Sequence, residues 1–120
     1  DLPLGHFLAS LRLLLDRPDG QQLPAHGWPT TSVHARVHEL LEHHERRLET
    51  MRRAVEDLGG ATGAAVAAAV TWTRHERPFA SLDDFNRMIA VCETMAHLDV
   101  LASLDLLQVE SPDGHDVFRA

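Results

Sequence analysis

The chain has 120 residues, of which 44% are hydrophobic, which suits one modest domain with its own core plus a short tail. Its formal net charge of −7 disfavours phosphate-rich partners unless a local basic surface overrides the total. No apolar run is long enough to span a membrane, and the single cysteine, Cys92, excludes an internal disulfide and fits a reducing cytosol. We therefore expect a cytoplasmic domain with no membrane partner.

The first thirty residues predict a short helix followed by a loop. Residues 7–15 are apolar, and the next segment, 17–20, reads Arg-Pro-Asp-Gly, a turn sequence. Two prolines and a glycine then surround His26, as in a loop or at the end of a strand. The chain starts at Asp1 rather than at Met, so we expect it to continue a longer polypeptide.

A long amphipathic helix is predicted from Val33 to Leu58. Its apolar residues recur at alternating steps of four and three, with His44 at one position of this seam. Ser32 supplies an N-cap, and Gly59 with Gly60 allows the left-handed residue that ends a helix.

Two shorter helices follow in the prediction. Thr62 caps an alanine-rich helix over residues 63–73, and Ser81 with Asp84 forms a capping box for a helix that runs to about Leu104. Helical spacing predicts that the last helix buries one apolar stripe, formed by Phe85, Met88, Ile89, Cys92, Met95, Ala96 and Ala102.

The last residues predict a β-hairpin. Two extended runs, 107–110 and 116–119, flank a Ser-Pro-Asp-Gly turn. Three helices followed by a hairpin is the order of a winged helix. The sequence therefore predicts a mainly α fold, with a winged-helix-like three-helix domain and a small C-terminal β-hairpin over residues 31–120.

Several short motifs resemble one branch of the metallo-β-lactamase superfamily. The segment Pro24–Gly27 is similar to the P-G-H-G segment near the end of those hydrolases, with Ala25 in place of glycine. Residues 36–47, which end in His-His-Glu-Arg-Arg, look like the opening helix of a winged-helix domain attached to that branch. Residues 93–98 and Leu101 look like the third helix of the same domain. The branch includes enzymes similar to glyoxalase II and to β-lactamase-like endoribonucleases.

The resemblance implies a division of the chain and a role for one histidine. Residues 1–30 would be the remnant of an α/β metallo-β-lactamase catalytic domain, and residues 31–120 its C-terminal appendage. His26 would be a ligand of the second zinc ion in the full-length parent protein. The main ligand run of the family, H-x-H-x-D-H, does not occur in this sequence, and one ligand cannot build a hydrolytic zinc site.

These implications set what we expect of cofactors and partners. We expect no catalytic residue and no bound cofactor in this chain by itself. The parent would be a zinc-dependent hydrolase of an ester, thioester or phosphodiester, and its catalytic domain would be the main partner, against which the appendage packs to shape substrate access. A homodimer is a further expectation, because the isolated chain would expose a surface made for another domain.

Two sets of helical side chains have alternative interpretations. His34, His38 and Glu42 are spaced one turn apart, which can hold a transition metal, but we favour a polar helix face. Glu93 and His97 also lie one turn apart, and for them we favour a salt bridge or a hydrogen bond between helices.

Other conspicuous side chains favour structural roles. His44 occupies the seam of the long helix and predicts packing, and the pair His43 and His44 resembles paired histidines that the family has at a domain junction. Cys92 is predicted to be a buried, inert thiol. Trp28 and Trp72 are predicted to be packing anchors.

The second hypothesis is a non-enzymatic winged helix that binds nucleic acid or regulates another protein. Such modules insert their third helix into the major groove and contact phosphates through lysine and arginine. Here the third helix offers Arg87 against Asp83, Asp84, Glu93 and Asp99, and the hairpin offers Arg119 against Glu110, Asp113 and Asp116. We therefore expect no strong binding to nucleic acid.

Overall fold

The computed structural model describes residues 3–17, 32–73 and 75–120. The elements within these ranges are, in chain order, α1 (Pro3–Leu15), α2 (Val33–Leu58), β1 (Ala61–Thr62), α3 (Gly63–Ala69), β2 (Thr71–Trp72), β3 (Arg77–Pro78), a 3-10 turn (Phe79–Ser81), α4 (Asp84–Ser103), β4 (Gln108–Glu110) and β5 (Val117–Arg119). The predicted mainly α fold with a C-terminal hairpin is confirmed.

The chain forms two compact units, residues 3–46 and 47–120, and the boundary between them lies inside α2. In the first unit Leu8, Leu11 and Val37 are buried. The predicted domain division, between residues 30 and 31, falls within residues 18–31, outside the described residues, and it stays a prediction.

The bounds predicted for α2 are confirmed at both ends. The hydroxyl oxygen of Ser32 accepts a hydrogen bond from the backbone N–H of Ala35 at 3.0 Å, as an N-cap does. At the other end Gly59 has a φ of +69°, and the N–H of Gly60 donates to the carbonyl of Val55 at 3.1 Å. This hydrogen bond closes a six-residue turn, the Schellman motif. The motif favours glycine at position 59, because a side chain would strain a backbone with positive φ.

The helix predicted over residues 63–73 is shorter in the structure and ends at Ala69. Its predicted N-cap is confirmed, because the Thr62 hydroxyl accepts from the N–H of Ala65 at 3.2 Å. Beyond Val70 the chain is extended, and β2 pairs with β3 in a two-stranded antiparallel sheet. The sequence Val-Thr-Trp-Thr over residues 70–73 is β-branched and aromatic, and such residues favour a strand over the continuation of a helix.

The N-cap of α4 is Asp83, so the predicted capping box of Ser81 and Asp84 is wrong. The Asp83 carboxylate accepts a hydrogen bond from the backbone N–H of Asn86 at 2.8 Å. The Ser81 hydroxyl instead donates to the carbonyl of Pro78 at 2.7 Å and closes the 3-10 turn. A carboxylate at the cap also faces the positive end of the helix dipole, which favours Asp83 over a neutral hydroxyl.

The C-terminal hairpin forms as predicted, and a third strand joins it. The antiparallel sheet has the order β1-β5-β4, with Ala61 opposite Phe118 and Val109 opposite the same residue on the other side. The strand β1 was not predicted, because two residues give no alternating pattern.

The core of the second unit lies between its helices and this small sheet. Its buried members are Met51, Val55, Ala61, Val66, Ala67, Val70, Trp72, Leu82, Ala90, Leu98, Leu101, Leu107 and Phe118. Phe118, Met51 and Leu98 are its largest fully buried side chains. Among the described helices, none combines the length and the hydrophobicity that a membrane crossing requires.

Candidate functional site

His26, the residue that the resemblance makes a zinc ligand, lies outside the described residues, and so does Trp28. Within residues 3–17, 32–73 and 75–120, no group of three His, Cys, Asp or Glu side chains could hold a metal ion. The described part of the chain therefore does not fit a zinc site by itself, and His26 stays a prediction.

The three residues with helical metal spacing on α2 do not form a metal site. The Nε2 atom of His34 lies 2.7 Å from the carbonyl oxygen of Arg17 and 3.1 Å from that of Leu14, so the ring donates into the C-terminal end of α1. Glu42 lies 3.8 Å from Arg46 on the exposed side of α2. His34 thus donates to carbonyls at and just beyond the C-terminal end of α1, which is a C-capping role.

A small aromatic cluster involves the pair of histidines whose roles the sequence left open. The rings of Phe7 and His44 meet edge to face, with centroids 5.8 Å apart. His43 meets His44 in the same way at 5.3 Å. His44 is half-buried and therefore packs between α1 and α2 within the first unit, which accords with the predicted packing role.

Arg47 connects three elements of the second unit. Its guanidinium lies over the indole of Trp72, 4.7 Å from the ring centroid, and its Nη1 donates to the carbonyl of Thr71 at 3.1 Å. Burial lowers the pKa of Arg47, and the nearby carboxylate of Glu93 opposes that shift. Its Nη2 is buried without a hydrogen-bond partner among the described atoms. Sequence reasoning assigned no role to Arg47, although its place beside the seam of α2 predicts partial burial.

Trp72 is buried, as the sequence predicts for a packing anchor. Its indole N–H donates to the carbonyl of Ala67 at 2.9 Å, so the ring closes the C-terminal end of α3. This bond and the stacked guanidinium of Arg47 hold β2 against both α2 and α3.

Glu93 and His97 interact through the backbone of α4. The Nδ1 of His97 donates to the carbonyl of Glu93 at 2.7 Å, one turn earlier in the same helix. His97 is 5% exposed and Thr94 is fully buried, and the Thr94 hydroxyl donates to the carbonyl of Ala90 at 2.8 Å. Both polar side chains therefore belong to the packed side of α4.

Four residues of the stripe predicted to be the core side of α4, Phe85, Met88, Ile89 and Cys92, are exposed. Two others, Met95 and Ala102, are partly buried against the core, in agreement with the prediction. The buried side is the opposite one, formed by Ala90, Thr94, His97, Leu98 and Leu101. We call the exposed set, Phe85, Met88, Ile89 and Cys92, the α4 apolar face. The error has a physical cause, because α4 is apolar on both sides and helical spacing cannot choose between two stripes.

Arg87 is the cation that α4 would offer to DNA, and its guanidinium already donates to backbone carbonyls of the same chain. Its Nη2 donates to the carbonyl of Ala80 at 2.6 Å, and its guanidinium lies 5.9 Å from the ring centre of Phe79. Arg119 lies 3.5 Å from Glu110 in the hairpin. Both cations therefore have intramolecular partners, in surroundings that carry more acidic than basic side chains.

Asp99 has a distinct electrostatic environment. Burial raises the pKa of its carboxyl above the usual value, and the negative charge of Asp116 raises it further. Nearby, a shallow cleft is lined by Thr62, Gly63, Ala64, Met95, Gly114, His115 and Asp116. Together these residues show no arrangement of nucleophile and base.

Comparisons with known proteins give a sequence similarity over part of the chain and a structural similarity over all of it. No protein-family model matches the chain. A stretch of 58 residues, 48% of the chain, is 36% identical to part of the DNA polymerase III PolC-type of Mycoplasma genitalium, but it covers 4% of that protein. Such a match concerns one short segment of a much longer enzyme.

A solved structure matches the whole chain. It is a beta-lactamase domain protein from Burkholderia ambifaria, with a TM-score of 0.78 and 30% sequence identity. The match covers 100% of this chain and 34% of that one, so the chain spans about a third of the protein that it resembles. The chain therefore has the fold of part of a beta-lactamase domain protein, which supports the sequence resemblance at the level of the fold.

Proposed function

We propose that the chain is the C-terminal portion of a zinc-dependent metallo-β-lactamase-fold hydrolase. It is not catalytic by itself, and it packs on the catalytic domain of the same polypeptide and shapes substrate access. The observation that carries the proposal is the match to the beta-lactamase domain protein, at 30% identity over the full length of this chain. Because that protein is about three times as long, it has room for a catalytic domain outside the matched third.

The second part of the proposal is that residues 31–120 form a winged helix. The order α2, β1, α3, α4, β4, β5 supports it, as does the pairing of β1 with β5 across 57 positions of sequence. In a winged helix the first strand closes the sheet made by the hairpin in this way. Fold does not give function, so the winged helix leaves both enzymatic and regulatory roles open.

Charge favours the hydrolase appendage over a nucleic-acid-binding winged helix. The carboxylates of Asp84 and Glu93 on α4 are exposed, and Arg87 is engaged with backbone carbonyls. A protein that binds duplex DNA through this helix would need free cations there.

The proposal also assigns a role to His26. The segment Pro24–Gly27 resembles the superfamily's P-G-H-G, and its histidine would complete the second zinc site of the longer polypeptide. The other ligands would come from the catalytic domain, because the described residues hold no group that could bind zinc. The substrate is then an ester, thioester or phosphodiester, the bonds that such hydrolases cleave.

The test starts from the coding sequence upstream of Asp1. It should encode H-x-H-x-D-H, and the longer polypeptide should contain zinc by elemental analysis and hydrolyse thioester, β-lactam or phosphodiester reporters. The 120-residue chain, assayed in parallel with added zinc, should do neither. Zinc-dependent turnover by the 120-residue chain, or an upstream sequence without the ligand run, would overturn the proposal.

A further inference from the structure

The α4 apolar face is an exposed hydrophobic surface on an otherwise acidic unit. Phe85 is 63% exposed, Met88 56% and Ile89 38%, and Cys92 is exposed beside them. The spacing of these four residues places them along one side of the helix. Scattered apolar residues on a surface are ordinary, but a contiguous set of large ones marks an interaction site.

The opposite side of α4 is buried, so the helix has apolar side chains on both sides. Ala90, Leu98 and Leu101 are nearly fully buried against the rest of the unit. A helix that is apolar on both sides is typical of a position between two protein layers. The described part of the chain supplies one of these layers.

The charges at the rim of the face disfavour two occupants. The face itself carries no cation, and the guanidinium of Arg87 is engaged by the carbonyls of Phe79 and Ala80 and by the carboxylate of Asp84, 3.7 Å away. A nucleic acid would therefore meet apolar side chains between two carboxylates, those of Asp84 and Glu93.

A second copy of the chain is also disfavoured by charge. The four residues of the face are spaced symmetrically about the midpoint between Met88 and Ile89. A two-fold dimer would therefore pack α4 antiparallel to its copy, with Met88 opposite Ile89 and Phe85 opposite Cys92. The same pairing places Asp84 opposite Glu93 at each end. Two like-charged contacts around a small apolar patch oppose such a dimer.

We propose that the α4 apolar face is the docking surface for the catalytic domain of the same polypeptide. The inference rests on the proposed function, and it names the contact through which the appendage packs. The solved relative supports this occupant, because the matched third leaves about two thirds of that protein to supply the second layer. Charge complementarity then requires that the covering surface carry apolar side chains bordered by arginine or lysine, which would face Asp84 and Glu93.

Cys92 provides a direct test, since it is the one cysteine of the chain and lies on the face. Maleimide labelling, mapped by peptide mass spectrometry, should be fast at Cys92 in the 120-residue chain. In the longer polypeptide it should be at least about tenfold slower, because labelling then requires the domains to open. As the matched control, a cysteine introduced by Asp113→Cys in the exposed hairpin turn, with Cys92→Ser, should react equally fast in both proteins.

Charged substitutions test the same contact through stability. Phe85→Glu and Met88→Glu should leave the melting temperature of the 120-residue chain unchanged, because both side chains already face solvent. In the longer polypeptide they should lower the melting temperature and restore fast labelling of Cys92. Leu13→Glu is the control, since Leu13 is 64% exposed and belongs to α1 rather than to α4, and it should have neither effect.

The outcomes separate this inference from the proposed function. Zinc and turnover in the longer polypeptide, together with equal Cys92 labelling in both proteins, would overturn the docking surface and leave the hydrolase intact. Slow labelling in the longer polypeptide without zinc or turnover would overturn the hydrolase and leave the docking surface intact. Labelling of the 120-residue chain that slows as its concentration rises would identify a second copy as the occupant and overturn the inference.

Discussion

The guanidinium of Arg47 lies over the indole ring of Trp72, 4.7 Å from the ring centroid. Arg47 belongs to α2 and Trp72 to β2, and the backbone carbonyl of Thr71 accepts a hydrogen bond from the same guanidinium at 3.1 Å. Trp72 in turn donates to Ala67 of α3. The short strand after α3 is therefore held by one cation and one indole.

Replacing this cation should destabilise the second unit. Arg47→Ala removes the stacking on Trp72, the hydrogen bond to Thr71 and the buried aliphatic stem, and we expect a loss of about 2 kcal/mol in the free energy of unfolding. Arg53→Ala is the control, because that side chain is 73% exposed and pairs with Glu49 on the surface, so it should cost less than about 0.5 kcal/mol. Urea denaturation followed by tryptophan fluorescence measures both, and equal midpoints for the two variants would contradict the role of Arg47.

The long helix was predictable because several independent signals agree on it. The seam of α2, from Val37 to Leu58, repeats over about six turns, Ser32 caps the start of the helix, and two glycines stop it, so pattern and caps give the same bounds. For α4 the same method predicted the helix but the wrong buried side. Both its stripes have helical spacing, and only the position of the neighbouring elements decides which one is buried.

The short strands and the polar contacts were less accessible from the sequence. The pairing of Ala61 with Phe118 joins residues far apart in the chain, and a two-residue strand carries no periodic signal. The contacts of Arg47 and the C-capping by His34 also depend on tertiary placement. His26 is predicted to be a zinc ligand because four residues, 24–27, resemble a motif of the superfamily. His26 lies outside the described residues, so its role stays a prediction.

Asp99 should make the stability of the second unit depend on pH. Burial raises the pKa of its carboxyl in the folded state, whereas in the unfolded chain the pKa keeps its ordinary value of about 4. Between these two values the folded state holds a proton that the unfolded state has released, so this residue's contribution to stability falls as the pH rises through that window. The contribution is most favourable below the unfolded pKa and is constant again above the folded one.

The substitution Asp99→Asn tests this dependence. The substitution removes the ionisable carboxyl, so at pH 7 the variant should melt at a higher temperature than the unmodified 120-residue chain. This difference in melting temperature should shrink below about pH 4. Asp113→Asn in the exposed hairpin turn is the control and should not change the pH profile. A difference between Asp99→Asn and the parent chain that stays constant from pH 3 to pH 8 would show that the carboxyl is not destabilised by burial.

Duplex DNA should bind weakly or not at all at physiological salt. The α4 surface presents Asp84 and Glu93, and its Arg87 already donates to backbone carbonyls. Fluorescence anisotropy with random and genomic duplexes provides the measurement. The variant Asp84→Arg with Glu93→Arg should gain weak, salt-sensitive binding, because it places two free cations on the same helix. Tight, salt-sensitive binding by the unmodified chain would instead favour the nucleic-acid-binding winged helix.

In the longer polypeptide, His26→Ala should reduce the zinc content while leaving the second unit folded. The resemblance of Pro24–Gly27 to the superfamily's P-G-H-G makes His26 a ligand of the second zinc ion, and replacing a ligating imidazole removes one metal bond while the others remain. The core around Met51, Val55 and Phe118 is formed by residues 47–120, a later part of the sequence than His26. Its melting temperature should therefore be unchanged, while zinc content and turnover fall.

The matched control for His26→Ala is His115→Ala, in the exposed turn between β4 and β5. Both variants lose one imidazole, but only the first loses a residue that the resemblance assigns to the metal. Zinc content by elemental analysis, turnover of a thioester or phosphodiester reporter, and thermal melting should be compared for both variants and the unmodified protein. Full zinc occupancy and unchanged turnover in His26→Ala would show that the similarity of this segment to P-G-H-G does not extend to metal binding, whereas equal losses in both variants would point to a general effect of removing histidine.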